Sequence, residues 1–480
     1  MQTFFLSLAE GFDSVFATLT SWLEAVLFYP VPFPYAPDGF PLLVLWLVGG
    51  GIFFTLRLGG ANLRLLPHAL KVVAGKYDSS AAKGEITSLQ ALLTAVSGTV
   101  GLGNIAGVAV GISIGGPGAV VWMVVAALFG TATKLAEVTI GHRYREIDEH
   151  GHFSGGAFHY LTRGLAERGH AKLGKALAVM FCICCIGGTL GGGNMLQSNQ
   201  AVAILTHTFT PLAKLDWLLS LLLAISVAVI LIGGIKRIAE VTSKIVPLMA
   251  ILYVSACIAV LWVNAALIPD AFALMFHHAF TPEAAGGGMI GAMAMGFRRA
   301  FFSNEAGVGS TPIAHAASKN AEAVREGCVA LLEPIIDTVI VCTMTGLVIV
   351  TTGVYLDKAN GEGVALTSVA FSTVIDWFPE VLAVCVFLFA YSTMLTWSYY
   401  GERAWHYLFG SRLVKLYYVI FATLTFFGGL TNLGTIVDFG DLILLAMAIP
   451  NLLGLYLMSG ELKREVESYL ARLKAGEFIS

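Results

Sequence analysis

Charge is what this sequence has least of. Only 12% of its 480 residues are Asp, Glu, Lys or Arg, about half the share found in an ordinary soluble domain. With 57% hydrophobic residues and a mean hydropathy of +0.79, the chain reads as an all-α polytopic membrane protein. A net charge of −3 argues against nucleic acid as a partner, because a polyanion is held by concentrated positive charge. Cysteine is sparse too. Cys182, Cys184, Cys185, Cys257, Cys328, Cys342 and Cys385 lie in or beside apolar runs, and read as small buried hydrophobes, not as disulfides or metal ligands. No His-Glu-x-x-His run supports metal-assisted hydrolysis, so an enzyme is not expected. The start, MQTFFLSLAEGFDSVF, lacks the cationic region of a cleaved signal and is read as part of the mature protein.

What is abundant is long apolar sequence. A helix needs about 20 apolar residues to cross the hydrocarbon core. On that ruler eleven transmembrane helices are expected, at roughly 40–58, 86–114, 117–140, 176–206, 216–234, 243–264, 285–312, 328–352, 379–400, 412–430 and 436–459. A proline-rich stretch from Pro30 to Pro41 separates the first from an amphipathic segment (about 13–29) expected to lie on the membrane surface. Basic residues test the count, since short cytoplasmic loops carry the excess of Lys and Arg. With the N-terminus outside and the C-terminus in the cytoplasm, only Lys214 and Lys358 of the 28 basic residues face outward, leaving 26 inside.

Two spans are interrupted. SGTVGLGNIAG, residues 97–107, sets four glycines and Asn104 where a helix ought to be most regular. Each glycine in a helix interior costs about 1 kcal/mol relative to alanine, and freed backbone groups cannot face lipid. The stretch therefore reads either as a helix unwound against an internal cavity or as a close-packed seam of small residues. A second stretch favours the former. Residues 304–309 read NEAGVG where 104–109 read NIAGVA, five spans later and so crossing in the opposite direction. Similar breaks in opposed halves point to inverted repeats around a midplane site, with five spans in 86–264 and five in 285–459. Around this core lie 1–39 outside, 40–85 as a preceding helix and loop, and 460–480 as a cytoplasmic tail. Half-helix N-termini suit a carboxylate and unwound carbonyls suit a small cation, so a carboxylate-bearing substrate moved with a hard cation is expected.

GTVGLGNIAGVA (98–109), GGPGAVVWM (115–123), ATKLAEV (132–138), FSNEAGVGSTPIAHAA (302–317) and WSYYGERA (397–404) together resemble the alanine or glycine:cation symporters, which share the leucine-transporter-type fold. The resemblance implies sodium-coupled symport of alanine or glycine across a prokaryotic cytoplasmic membrane by a monomer, with no organic cofactor. It implies that the Leu102 and Gly103 amides, with Asn104, meet the substrate carboxylate, beside Thr99 and Gly101. Sodium would meet the carbonyls of Ser97, Val100 and Phe389 and the hydroxyls of Ser392 and Thr393. Gln197 would help hold the amino acid, Trp397 would wall its side chain, and Ala300 and Phe301 would offer carbonyls to its ammonium. The family's usual Arg-Gly before the second break is Arg299-Ala300 here, and its loop motif Gly-Gly-Pro-Met-Tyr-Tyr is GGAFHY (155–160).

The remaining polar residues have two readings each. Arg298, Arg299 and Glu305 form a gate or a static ion pair. Glu333 and Asp337, four apart on one helical face, relay protons or orient helices. Glu137 with Lys134 is expected to cap a cytoplasmic helix end. His142, His150, His152 and His159 fit no zinc spacing and read as solvated. Proton coupling through Glu333 or Asp337 is the alternative to sodium, and a membrane-embedded sensor or enzyme is a remoter one.

Overall fold

The computed structural model describes residues 18, 20–33, 36–78, 82–147, 152–281, 288–374, 376–430, 440 and 442–478. Residues 13–17 and 19 of the amphipathic segment, His150, and residues 436–439 and 441 of the last expected span lie outside these. A short antiparallel pair, Pro30–Phe33 with Ala36–Pro41, leads into helix α1 (Leu42–Arg57). Among the described residues, six helices are long and apolar enough to cross a bilayer: Gly118–Arg143, Ala171–Thr208, Gly234–Val263, Ala323–Thr352, Phe378–Phe409 and Leu442–Lys474. One bent pair passes with them, and three shorter apolar helices accompany them.

The differences from the expected spans have local causes. Residues 268–280, assigned to no span, form a helix. Pro269 and Asp270 stand in its first turn, and Ala271, Met275 and Ala279, four apart, are its buried face. The expected cytoplasmic tail is not separate, because the last helix runs unbroken from Ala448 to Lys474 with Leu462, Val466 and Tyr469 buried. The Gly-x-Ser-x-Gly spacing at 111–115 falls inside a helix (Ala106–Gly115), not on the strand-to-helix turn that would expose a nucleophile. All seven cysteines are buried and free.

Two of the four clustered histidines are not solvated as expected. His142 and His159 are buried, and His152 pairs with Glu85 at 3.0 Å. His159 sits in an amphipathic helix (Ala157–Ala166), where burial pulls it down to about 4, leaving it neutral near pH 7. Its Nε2 meets the Ser154 hydroxyl at 2.8 Å.

Candidate functional site

Both interruptions are present, and each is stitched by its own asparagine. Helix α2 (Ser88–Thr99) starts in a capping box, Thr87 with Gln90. It ends where Val100 and Gly101 turn extended, and the chain resumes as a short 3-10 turn (Leu102–Asn104) and helix α3 (Ala106–Gly115), bent 60° from α2. The Asn104 side-chain oxygen accepts from Gly101 N at 2.7 Å. Two hundred residues later, helix α4 (Gly288–Asn304) stops at Asn304. Glu305 adopts φ +54, and Gly307 and Gly309 φ +91 and +87, before helix α5 (Thr311–His315). Positive φ strains a side-chain-bearing residue, so Glu305 keeps this conformation because its surroundings impose it. Asn304 Oδ1 accepts from Ala306 N at 3.0 Å.

The two breaks meet. Asn104 Nδ2 donates to the Asp337 carboxylate at 2.6 Å and to its carbonyl at 2.9 Å; Asn304 Nδ2 donates to the neighbouring Thr338 hydroxyl at 3.1 Å. Ser303, at the end of α4, donates to the same carboxylate at 2.9 Å. Asp337 and Thr338 lie in a π-helical stretch (Ile335–Cys342), a local widening often found at functional sites. Gly103 lets the breaks approach closely here: a Cβ on it would stand 3.2 Å from the Ser303 Cα, a tight contact.

The residues expected around sodium come together on α2 and on helix α6 (Phe378–Phe409). Ser97 Oγ donates to the Ser392 carbonyl at 2.8 Å, Thr393 Oγ1 to the Ser97 carbonyl at 3.0 Å, and Ser392 Oγ to the Phe389 carbonyl at 3.1 Å. Gly101 brings the Val100 corner against them, since a Cβ there would lie 2.9 Å from Thr393 Oγ1. All are neutral oxygens, a donor set suited to a monovalent ion and not to calcium, which recruits carboxylates.

The expected substrate residues divide. Leu102 and Gly103 open the short turn, where helical geometry leaves N–H groups without intrahelical partners. Thr99 bonds its own helix. Gln197 is buried beside a second π-helical turn (Gly191–Met195); its Nε2 donates to the Gly192 carbonyl at 3.0 Å, while its Oε1 has no partner among the described residues. Trp397 is buried with its Nε1 on Glu305 Oε1 at 3.1 Å. Two sets of expected substrate residues are engaged within the protein in this structure. Asn104 commits its amide to Gly101, Asp337 and Cys342, so here it braces the break. Ala300 and Phe301 sit inside α4, whose helical bonding continues to Glu305 N on the Phe301 carbonyl at 3.1 Å, so the Phe301 carbonyl is committed to the helix.

Asn104→Ala is therefore expected to lower stability as well as transport. It strands the buried Gly101 N–H and removes a donor from Asp337, at about 1–3 kcal/mol for each group left unsatisfied. Thermal unfolding in detergent checks this; a melt equal to wild type would show that the bonds around Asn104 do not hold the break.

Charged residues also sort themselves. Lys134 and Glu137 do not cap a helix end: both are fully buried in the middle of Gly118–Arg143. Lys134 Nζ lies 3.0 Å from Glu333 Oε2 and also donates to the Thr311 hydroxyl. His315 joins Glu333 at 2.9 Å and Glu326 at 2.6 Å, and Glu326 accepts from Ser88 at 2.7 Å. Glu333 is thus a structural ion pair linking α5 to the scaffold, and Glu326 ties in the start of α2. Glu137 accepts from Asn451 Nδ2, which also bonds the Gly307 carbonyl within the second break, both at 2.8 Å. Arg298 stacks over Phe28, its guanidinium carbon 4.5 Å from the ring centroid. Sequence reading missed Ser303, Thr338, His315 and Asn451. Ser303 and His315 stood inside the FSNEAGVGSTPIAHAA motif and Thr338 beside Asp337, but nothing local marked Asn451.

The sequence profile of the sodium:alanine symporter family fits residues 36–479. The chain belongs to that family. As a family member it is a multi-pass membrane transporter and not an enzyme. It is 40% identical over 433 residues to the sodium/alanine symporter AgcS of Methanococcus maripaludis, covering 89% of this chain and 94% of that protein. It is 32% identical over 442 residues to a Bacillus subtilis protein named "probable sodium/glutamine symporter GlnT", covering 91% and 89%. In fold it is similar to MhsT, solved in complex with L-phenylalanine, with a TM-score of 0.55 over 78% of this chain and 89% of that one at 16% identity. That likeness shows the leucine-transporter-type fold for this symporter family member.

Proposed function

We propose that this protein carries a small neutral amino acid, alanine or glycine, across the cytoplasmic membrane together with sodium, by alternating access about its two interrupted helices. The observation that carries the reading is the meeting of the two breaks beside the neutral oxygen cluster of Ser97, Ser392 and Thr393. Sodium would be held by the carbonyls of Ser97, Val100 and Phe389 and by the Ser392 and Thr393 hydroxyls, so that the ion organises the corner from which the Leu102 and Gly103 amides address the carboxylate. Gln197 Oε1, a buried acceptor without a partner among the described residues, suits the substrate ammonium. Substrate and ion then bind better together than alone, and the coupling is reciprocal. The alanine named for AgcS supports the substrate class, whereas the glutamine in the GlnT name keeps the side-chain limit a matter for experiment.

The test is uptake of labelled alanine into proteoliposomes with and without an inward sodium gradient. Gradient-driven accumulation is expected; equal uptake in both overturns sodium coupling. Proton coupling has its own supporting observation, the Asp337 carboxylate bridging both breaks through an amide and hydroxyls. Uptake that follows a pH gradient and ignores sodium would favour it.

A further inference from the structure

Trp397 lies one helical turn beyond Thr393 on α6, so a single stripe of that helix touches both breaks: Thr393 at Gly101 and Trp397 at Glu305. Three neighbours hold the indole. Its N–H is held by Glu305 Oε1 at 3.1 Å, and its ring meets Tyr400 edge-on at 5.4 Å between centroids. Gly193, in the π-helical turn next to Gln197, is so close that a Cβ there would stand 2.5 Å from Trp397 Cγ. Glu305 is fixed in turn. Its second carboxylate oxygen accepts from Ser310 across the break, and it is the one non-glycine residue with positive φ among those described. A strained backbone maintained at this point is what a part with a positioning task requires.

We propose that Glu305 is a positioning residue for substrate selection: through Trp397 Nε1 it clamps the indole against Gly193, and the clamped ring sets the upper limit on the substrate side chain. The proposal rests on the proposed function and on Trp397 standing beside the substrate side chain, next to Gln197 by way of Gly193. A wall made by one bulky ring discriminates by excluding volume, and excluding volume works only while the ring cannot rotate away. The N–H bond to Glu305 removes that rotation. Because Glu305 belongs to the second break, the wall is also tied to the part of the molecule that alternating access would move.

The experiment is competition against labelled alanine uptake in proteoliposomes by unlabelled glycine, alanine, valine and leucine, for wild type, Glu305→Ala, Glu305→Gln and Trp397→Phe. In Glu305→Ala the concentration of leucine needed for half-inhibition, relative to alanine, is expected to fall at least tenfold. Glu305→Gln restores the wild-type order, since its amide oxygen still accepts from the indole and its NH2 can donate to Ser310. Trp397→Phe, which removes the N–H and part of the ring, reproduces the Glu305→Ala pattern and carries the test if Glu305→Ala does not fold. Loss of rate for all four amino acids with an unchanged order in Glu305→Ala, or an unchanged order in Trp397→Phe, overturns the proposal. Absence of amino-acid uptake by wild type would instead overturn the proposed function, so the two failures are distinct.

Discussion

Lys134→Met is expected to destabilise the folded protein by about 3–5 kcal/mol, the range for stranding one member of a buried ion pair. Lys134 and Glu333 have no side-chain exposure and stand 3.0 Å apart. His315 faces a carboxylate with each ring nitrogen, at 2.9 and 2.6 Å, an arrangement in which both nitrogens donate and the ring is an imidazolium. The cluster is then neutral, with Lys134 and His315 balancing Glu333 and Glu326. Removing Lys134 alone leaves one buried negative charge in excess. Removing both partners, as Lys134→Met with Glu333→Gln, restores the balance and should recover most of the loss. Unfolding curves in detergent measure both variants. A single-variant loss below about 1 kcal/mol, within the range of exposed pairs, would mean that the cluster is not charged in this way.

Ser392→Ala with Thr393→Ala should raise the sodium concentration for half-maximal uptake by about two orders of magnitude or more. Both hydroxyls lie in the oxygen cluster proposed to hold the ion, Thr393 on the Ser97 carbonyl and Ser392 on that of Phe389. A bond from a neutral group to a charged one contributes about 1.5–3 kcal/mol, which is roughly tenfold to a hundredfold in affinity for each ligand. Alanine affinity at saturating sodium should change far less, because neither hydroxyl is placed on the substrate. Uptake measured against sodium concentration decides it, and an unaltered sodium dependence would remove α6 from the ion site.

Both predictions concern partners far apart in sequence, and that is where reading the chain stopped. The interruptions were legible because backbone conformation is local. Gly307 and Gly309 occupy the left-handed region that glycine enters freely, and an asparagine heads each motif because its short amide reaches the backbone a few residues away. Hydrophobic length and the placement of basic residues were enough to read a membrane protein, since hydration energy depends on composition. What the same asparagines bind at their other end was decided by tertiary structure. Asn104 and Asp337 are 233 positions apart, as are few pairs that a local rule can join, and their contact exists only because α2 and the 335–342 segment pack together. Lys134 was misread for the same reason: its neighbours in sequence suggested a helix end, whereas its neighbours in space, Glu333 and Thr311, neutralise it in the interior. Charge can be buried only where three-dimensional packing supplies its counter-charge, and no window of sequence contains both.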